Sequence, residues 1–120
     1  MTVVCYPKCT TCKKALAWLD ARGIPYVYRN IKEDNPSYEE LKAWYANSGL
    51  PLKAFFNTSG LSYKALRLKD RLSAMGEEEA LKLLSADGML VKRPLIILDA
   101  LVIVGFREKE WEKALSQKRP

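Results

Sequence analysis

Tyr6-Pro7-Lys8-Cys9-Thr10-Thr11-Cys12-Lys13-Lys14 is the stretch on which the fold turns, because a strand ends and a helix begins within it. Upstream, Val3-Val4-Cys5-Tyr6 is a short apolar run of mostly β-branched and aromatic residues closed by Pro7, the pattern of a buried strand. Downstream, Cys12, Ala15, Leu16 and Leu19 fall at i, i+3, i+4 and i+7, which predicts a helix with one apolar face. Gly23 and Pro25 supply its stop, and Thr10 or Thr11 can cap its start. A thiol at a helix N-terminus meets unpaired backbone N–H groups and the positive end of the helix dipole, and both favour thiolate over thiol. Lys8, Lys13 and Lys14 add positive charge nearby. Cys9, outside the helix and more exposed, is expected to be the nucleophile. Cys12, one turn in, is expected to resolve the mixed disulfide.

Working outward, the 120 residues contain 20 Lys and Arg against 14 Asp and Glu, for a net charge of +6, with three cysteines and no histidine. The absence of imidazole removes Ser-His-Asp and Cys-His mechanisms, zincins and Cys/His zinc fingers. A zinc site built on Cys9 and Cys12 would need two further ligands, and only Cys5 is left to give, so no metal is expected within one chain. Cys5 itself, inside an apolar strand, is expected to be a small core residue. The length suits one domain, residues 1–120, and 48% hydrophobic with 28% charged residues suits a soluble globular chain. No apolar run approaches the roughly 18 residues of a membrane span, and Met1-Thr2-Val3-Val4 does not open a signal peptide. A cytoplasmic location is therefore expected, where thiols stay reduced and a close cysteine pair is redox-active or metal-binding. The basic residues are scattered, with local clusters around the cysteines, at Lys92-Arg93 and at Lys118-Arg119. Basic and aromatic residues do not alternate and no basic recognition helix stands out, so a local anion site is expected and direct DNA binding is not.

The remaining elements follow from local signals. Tyr26-Val27-Tyr28 has strand character, and Asn30 to Pro36 is a polar connection. Ser37-x-x-Glu40 matches a capping box, with Leu41, Trp44 and Tyr45 facing inward before Gly49 and Pro51 end the helix. Short helices are predicted at Leu52 to Phe56 and Tyr63 to Leu66, and a firmer one from Glu77 to Ala86. Pro94 to Leu98 and Leu101 to Val104 form a hairpin around Asp99-Ala100. A last helix near Arg107 to Ser116 offers Trp111, Ala114 and Leu115 as its buried face. The order is β-α-β, a helical block at about 37–87, then β-β-α, an α/β chain with no repeat and no linker.

Together, the Tyr6 to Lys14 stretch, the β-α-β opening, the helical middle and Lys92-Arg93-Pro94-Leu95 resemble the ArsC-like branch of the thioredoxin superfamily, over essentially the whole chain. That branch holds the glutathione- or glutaredoxin-dependent arsenate reductases and the Spx/MgsR transcription regulators. The resemblance implies a thioredoxin-like fold, a mixed sheet with an all-helical insertion, and makes Pro94 the cis-proline beside the active site. It matches Cys9 to the nucleophile and Arg93 to one of three arginines that hold an oxyanion, with Lys13 replacing a basic residue of the first helix. The arginine of the insertion falls on Asn57, and the one after the hairpin falls at Phe106, with Arg107 as its neighbour. Each lost guanidinium contact to an oxyanion costs about 1.5–3 kcal/mol, so arsenate turnover is expected to be weak or absent. The Cys-x-x-Cys pair is what the Spx/MgsR side carries, as a disulfide switch controlling contact with RNA polymerase, although Gly49-Leu50-Pro51 sets proline at the position matching the polymerase-contacting glycine. The resemblance thus implies a thiol-disulfide oxidoreductase acting on a small oxyanion or a disulfide, with no bound cofactor and with glutathione, glutaredoxin or thioredoxin as reductant. The alternative is a redox-sensing regulator that binds the RNA polymerase α-subunit.

Overall fold

β1 (Thr2–Cys5) organises the sheet, because it is flanked on both sides. β2 (Val27–Asn30) runs parallel to it, and β3 (Leu95–Leu98) runs antiparallel on the other side. β4 (Leu101–Val104) pairs antiparallel with β3, giving the order β2-β1-β3-β4. The computed structural model describes residues 1–116, so the Lys118-Arg119 cluster lies outside the described residues. Successive strand residues point to opposite faces, and the sheet uses both. Val3, Cys5 and Ile96 enter a core with α1 (Thr10–Ala21) and α6 (Glu108–Ser116). Val4, Leu95 and Val102 enter a second core with the helical block. That block comprises α2 (Tyr38–Ser48), α3 (Leu61–Ala65), α4 (Leu68–Arg71) and α5 (Glu77–Ala86), with a 3-10 turn between α2 and α3 and another between α4 and α5. The α/β architecture and element order are those the sequence predicts, and among the described residues no helix is long and apolar enough to cross a membrane.

The local corrections have physical causes. Neither Thr10 nor Thr11 caps α1. Cys9 holds the N-cap position in extended conformation (φ −85°, ψ 120°), without a side-chain cap. Leu16 is only half-buried, and Trp18 takes a place on the buried face instead. Trp18 packs edge-on against Trp111 of α6 at 5.8 Å between ring centroids. Trp111 is fully buried and donates its indole N–H to the Gly105 carbonyl at 2.9 Å, so that core is built on an aromatic pair rather than a leucine stripe. Tyr45 and Ala114 are likewise half-buried at the rims of their helices.

The predicted capping box is complete. The Ser37 hydroxyl accepts from the Glu40 backbone N–H, Glu40 accepts from the Ser37 N–H, and Gly49 ends α2 in the left-handed region at φ +70°. Asp99-Ala100 does make the hairpin turn. Asp99 adopts φ +54°, a conformation that aspartate tolerates better than most residues because its short carboxylate can bond its own backbone. The helix expected at Tyr63 to Leu66 starts at Leu61. Arg67 at φ +54° then breaks the chain and starts α4, a turn the periodicity did not foretell, which buries Leu68.

Candidate functional site

The junction between β1 and α1 folds back tightly. The Cys9 N–H donates to the Tyr6 carbonyl at 3.0 Å, and the Lys13 N–H donates to the Cys9 carbonyl at 3.0 Å. This leaves Cys9 half-buried at the helix start, Cys12 buried on the inner face of α1, and Cys5 fully buried at the end of β1. None of the three is in a disulfide. Cys5, the Tyr6 backbone and Cys9 surround Cys12 as neighbours that favour its thiolate. Together with the positive charge of Arg93, these overcome burial and hold Cys12 down at about 6. Cys5 moves the other way: its interaction with Cys12, its burial and the charge on Cys12 all push its thiol up. Of Cys5 and Cys12, it is therefore Cys12 that favours the charged form, and Cys9 stands half-buried at the helix start.

The second wall of the site comes from the far end of the chain. The Arg93–Pro94 peptide is cis, as expected, and Pro94 is buried, its carbonyl accepting from the Gly105 N–H at 2.8 Å. The helical block is stitched to the segment that leads there. Phe56 bridges Val91, the Lys92 N–H donates to the Phe55 carbonyl at 2.8 Å, and the Asn57 N–H donates to the Leu90 carbonyl at 2.7 Å. Asn57 is thereby anchored beside the approach to Arg93, and its carbonyl accepts from the Gly60 N–H at 3.1 Å.

Arg93 lies with its Cζ 5.5 Å from the Tyr6 ring centroid, and its Nη1 is 3.6 Å from the Met89 sulfur. Its buried Nε has no hydrogen-bond partner, and among the described residues no carboxylate pairs with the guanidinium. The Arg93 charge acts on Cys12 and favours its thiolate. Lys13 is exposed on the first turn of α1, one residue past Cys12. Arg107 is exposed ahead of α6, with its Nη1 on Glu110 Oε1 at 3.3 Å, and among the described residues no hydrogen bond joins it to the thiols or to Arg93.

The structure thus brings Arg93 within electrostatic reach of Cys12, three residues past Cys9, with the cis Pro94 next in the chain to Arg93 and Asn57 on the adjoining segment. Cys5 is the buried core residue that the sequence predicts, whereas sequence reasoning missed the Tyr6 backbone N–H and Met89. Cys5 had a usable signal: it alternates with Val3, so it shares the sheet face that α1 covers, the face onto which Cys12, Ala15 and Leu19 point. The backbone donor and the thioether had none. Among the described residues no group of three or more His, Cys, Asp or Glu side chains is arranged to hold a metal ion. A separate cavity of about 230 Å³ opens among the helices of the block, walled by Tyr45, Leu52, Tyr63, Leu72 and Met75 with lysines at Lys53 and Lys69. None of the candidate residues lines it.

The model of the ArsC family matches residues 5–114, nearly the whole chain. The chain belongs to the ArsC family. Its similarity to individual members is close in places. It is 51% identical to the uncharacterized protein YusI of Bacillus subtilis, over 94% of this chain and 96% of that one. It superposes with a TM-score of 0.85 on the crystal structure of a possible arsenate reductase from Streptococcus mutans, at 44% identity, covering 92% of this chain and 96% of the other. It is also 29% identical to the global transcriptional regulator Spx of Bacillus subtilis, over 98% of this chain and 88% of Spx. ArsC-family relatives therefore carry names from two functional classes, one enzymatic and one regulatory, and membership alone does not choose between them.

Proposed function

We propose that the protein is a thiol-disulfide oxidoreductase whose working pair is Cys9 and Cys12, acting in the reducing cytoplasm. The observation that carries this is the grouping of the two cysteines at the start of α1, with a half-buried Cys9 at the N-cap and a buried Cys12 whose thiol is held down at about 6. Cys9 Sγ attacks a sulfur of a disulfide substrate while its proton passes to Cys12 Sγ, the neighbour that favours the thiolate. The first substrate sulfur leaves as thiolate and Cys9 holds the second in a mixed disulfide. Cys12 Sγ then attacks Cys9 Sγ, its proton goes to the departing sulfur, and the Cys9–Cys12 disulfide closes. Two electrons leave the pair, and one thiol and one thiolate are released. Arg93, with Lys13 on the first helical turn, attracts the carboxylates of a substrate or partner, while Pro94 shapes the floor. Glutathione, glutaredoxin or thioredoxin returns the pair to its reduced form.

Arsenate is a poor fit to this site. Only Arg93 of the three arginine positions offers a guanidinium next to the thiols. Asn57 is neutral, and Arg107 is engaged with Glu110. A coupled NADPH assay of the reduced protein should show weak or no arsenate turnover, and vigorous turnover would restore arsenate as the substrate. The likeness to Spx supports a second reading, a redox switch that contacts the RNA polymerase α-subunit. Capture of that subunit by the protein in one redox state only would favour it. The decisive experiment on the first reading is trapping. Cys12→Ser should accumulate mixed disulfides on Cys9 in lysate, and Cys9→Ser should accumulate none; equal trapping by both variants would defeat the assignment.

A further inference from the structure

The cavity of about 230 Å³ in the helical block takes none of its lining from the thiol site. Two tyrosine rings line it, and a phenylalanine braces each. Tyr63 is buried with its ring 6.2 Å from that of Phe56, and Tyr45 meets the Phe55 ring edge-on at 6.2 Å. Leu52, Leu72 and Met75 extend the apolar lining, and Ala80 of α5 is too short to fill the space. The charged lining residues are Lys53, Lys69 and Glu77. Glu77 is engaged, because its Oε1 accepts from the Tyr45 hydroxyl at 2.8 Å, a bond that also holds the Tyr45 ring in place. Lys53 and Lys69 are exposed, and among the described residues neither is in an ion pair. We propose that this cavity is a binding site for a small aromatic carboxylate, its ring held against Tyr45 and Tyr63 and its carboxylate drawn to Lys53 and Lys69.

Size, wall chemistry and charge each narrow the occupant. An apolar cavity of about 150 Å³ holds a benzene ring, so about 230 Å³ admits one ring with a short side chain. The volume falls below the roughly 300–1,000 Å³ of sites for drug-sized ligands. Aromatic walls favour an aromatic guest over an aliphatic one, because rings gain from edge-to-face and offset contacts beyond the area they bury. A cationic guest would meet two like charges and a carboxylate already occupied by the Tyr45 hydroxyl, whereas an anionic one meets two unpaired lysines. Both lysines are exposed to solvent, so their attraction is modest and salt weakens it.

Phenylpropionate is the probe, with phenylpropanol and phenylpropylamine as its neutral and cationic counterparts. The chain has three methionines, and isotope-labelled methyl groups let each report a different place by NMR. Met75 reports the cavity, Met1 packs in the core of α1, and Met89 lies beside Arg93, whose Nη1 is 3.6 Å from its sulfur. Phenylpropionate should shift the Met75 methyl saturably and leave those of Met1 and Met89 in place. It should bind about fivefold more tightly than phenylpropanol, and more tightly still than phenylpropylamine, a preference that added salt erodes. Lys53→Ala combined with Lys69→Ala should bring the acid and the alcohol to within about twofold of each other. Ala80→Leu should block all three; because Ala80 is buried, Ser73→Trp on the exposed rim provides a second block that spares the core. A Met75 methyl that never moves would overturn the proposal, as would an alcohol or amine that binds as well as the acid. A shift at Met89 in place of Met75 would assign the acid to Arg93 and overturn it too. So would an acid preference that survives the double lysine variant, or binding unchanged in both blocked variants. None of these readouts uses the thiols, so they stand whatever becomes of the oxidoreductase reading.

Discussion

A single side chain, Arg93, does two things that can be separated. Its charge favours the Cys12 thiolate, and in the proposed reaction its guanidinium receives the carboxylates of the substrate. Arg93→Leu removes both, and the Cys12 transition should rise by about one unit, the lower end of what one nearby opposite charge supplies. Arg93→Lys keeps the charge but not the planar fork, so the transition should move much less while binding of a carboxylate-rich substrate weakens; thiolate absorbance and mixed-disulfide trapping rates read the two effects apart. Cys12 also makes stability depend on pH with a definite sign. Its value falls from 9.0 to about 6 on folding, so its contribution is fully present above 9.0 and is lost as pH falls through about 6. Under strong reductant, urea midpoints of the wild type minus those of Cys12→Ala should therefore grow between pH 6 and pH 8.5, and a flat difference would show that Cys12 carries no charge in the folded protein. At this scale the sequence was most informative about Cys9, Cys12 and Arg93, because residue type and position at a helix start carry the chemistry. It placed Cys5 correctly in the core, and it was least informative about Met89, because the contact of its sulfur with Arg93 has no local sequence signal.

Elements join through Arg29 and Glu40. Arg29, on β2, makes a two-pronged contact with Glu40, on α2, with nitrogen–oxygen distances of 2.6 and 2.9 Å. The same carboxylate closes the capping box on Ser37. One side chain thus fixes the start of α2 and ties it to the edge strand. Arg29 and then the Ser37 backbone hold the Glu40 carboxyl down at about 2, so its stabilisation is present above its ordinary value of 4.5 and lost as pH falls toward about 2. Glu40 is 40% exposed, and solvent screening limits what the ion pair adds. With the cap included, Glu40→Ala should cost about 1–2 kcal/mol at pH 7. Urea titrations should show that cost shrinking steadily between pH 4.5 and pH 2.5; a cost independent of pH would mean that the carboxylate charge is irrelevant. The capping box was legible because its signal is local, four residues long and chemically specific. The β2 partner was not, because Arg29 reaches Glu40 only after a ten-residue connection folds back. The same distinction explains α1, where Trp18 displaced Leu16: helical periodicity locates a face to within one residue, and the bulk of Trp111 on another helix decides which neighbour fills it.

Across the molecule, the helical block must be held against the sheet at the place where the chain turns toward Arg93, and Gly88 is that place. The preceding helix is anchored to the β2–α2 connection by Asn35, whose amide donates to the Ser85 carbonyl at 2.6 Å. Gly88 then passes so close to that connection that an added Cβ would meet the Ile31 carbonyl at 2.7 Å and would also strike Asn35 Oδ1. The Ile31 obstacle is backbone and cannot swing aside, so Gly88→Ala should push the two segments apart and destabilise the fold by about 1–3 kcal/mol. Gly60 offers the matched control. A Cβ there would come within 2.7 Å of Asn57 Nδ2, the far end of a side chain that can rotate away. Gly60→Ala should therefore stay within about 0.5 kcal/mol of the wild type. The two variants also differ in reach. Val91 and Lys92, three and four residues past Gly88, pair with Phe56 and Phe55, so displacement at Gly88 is carried toward Arg93. Gly88→Ala should accordingly raise the Cys12 transition as well as lower the urea midpoint, whereas Gly60→Ala should leave the Cys12 transition in place. If Gly88→Ala lowered stability without moving Cys12, Arg93 would be positioned by the sheet alone, and the helical block would have no part in tuning the thiols.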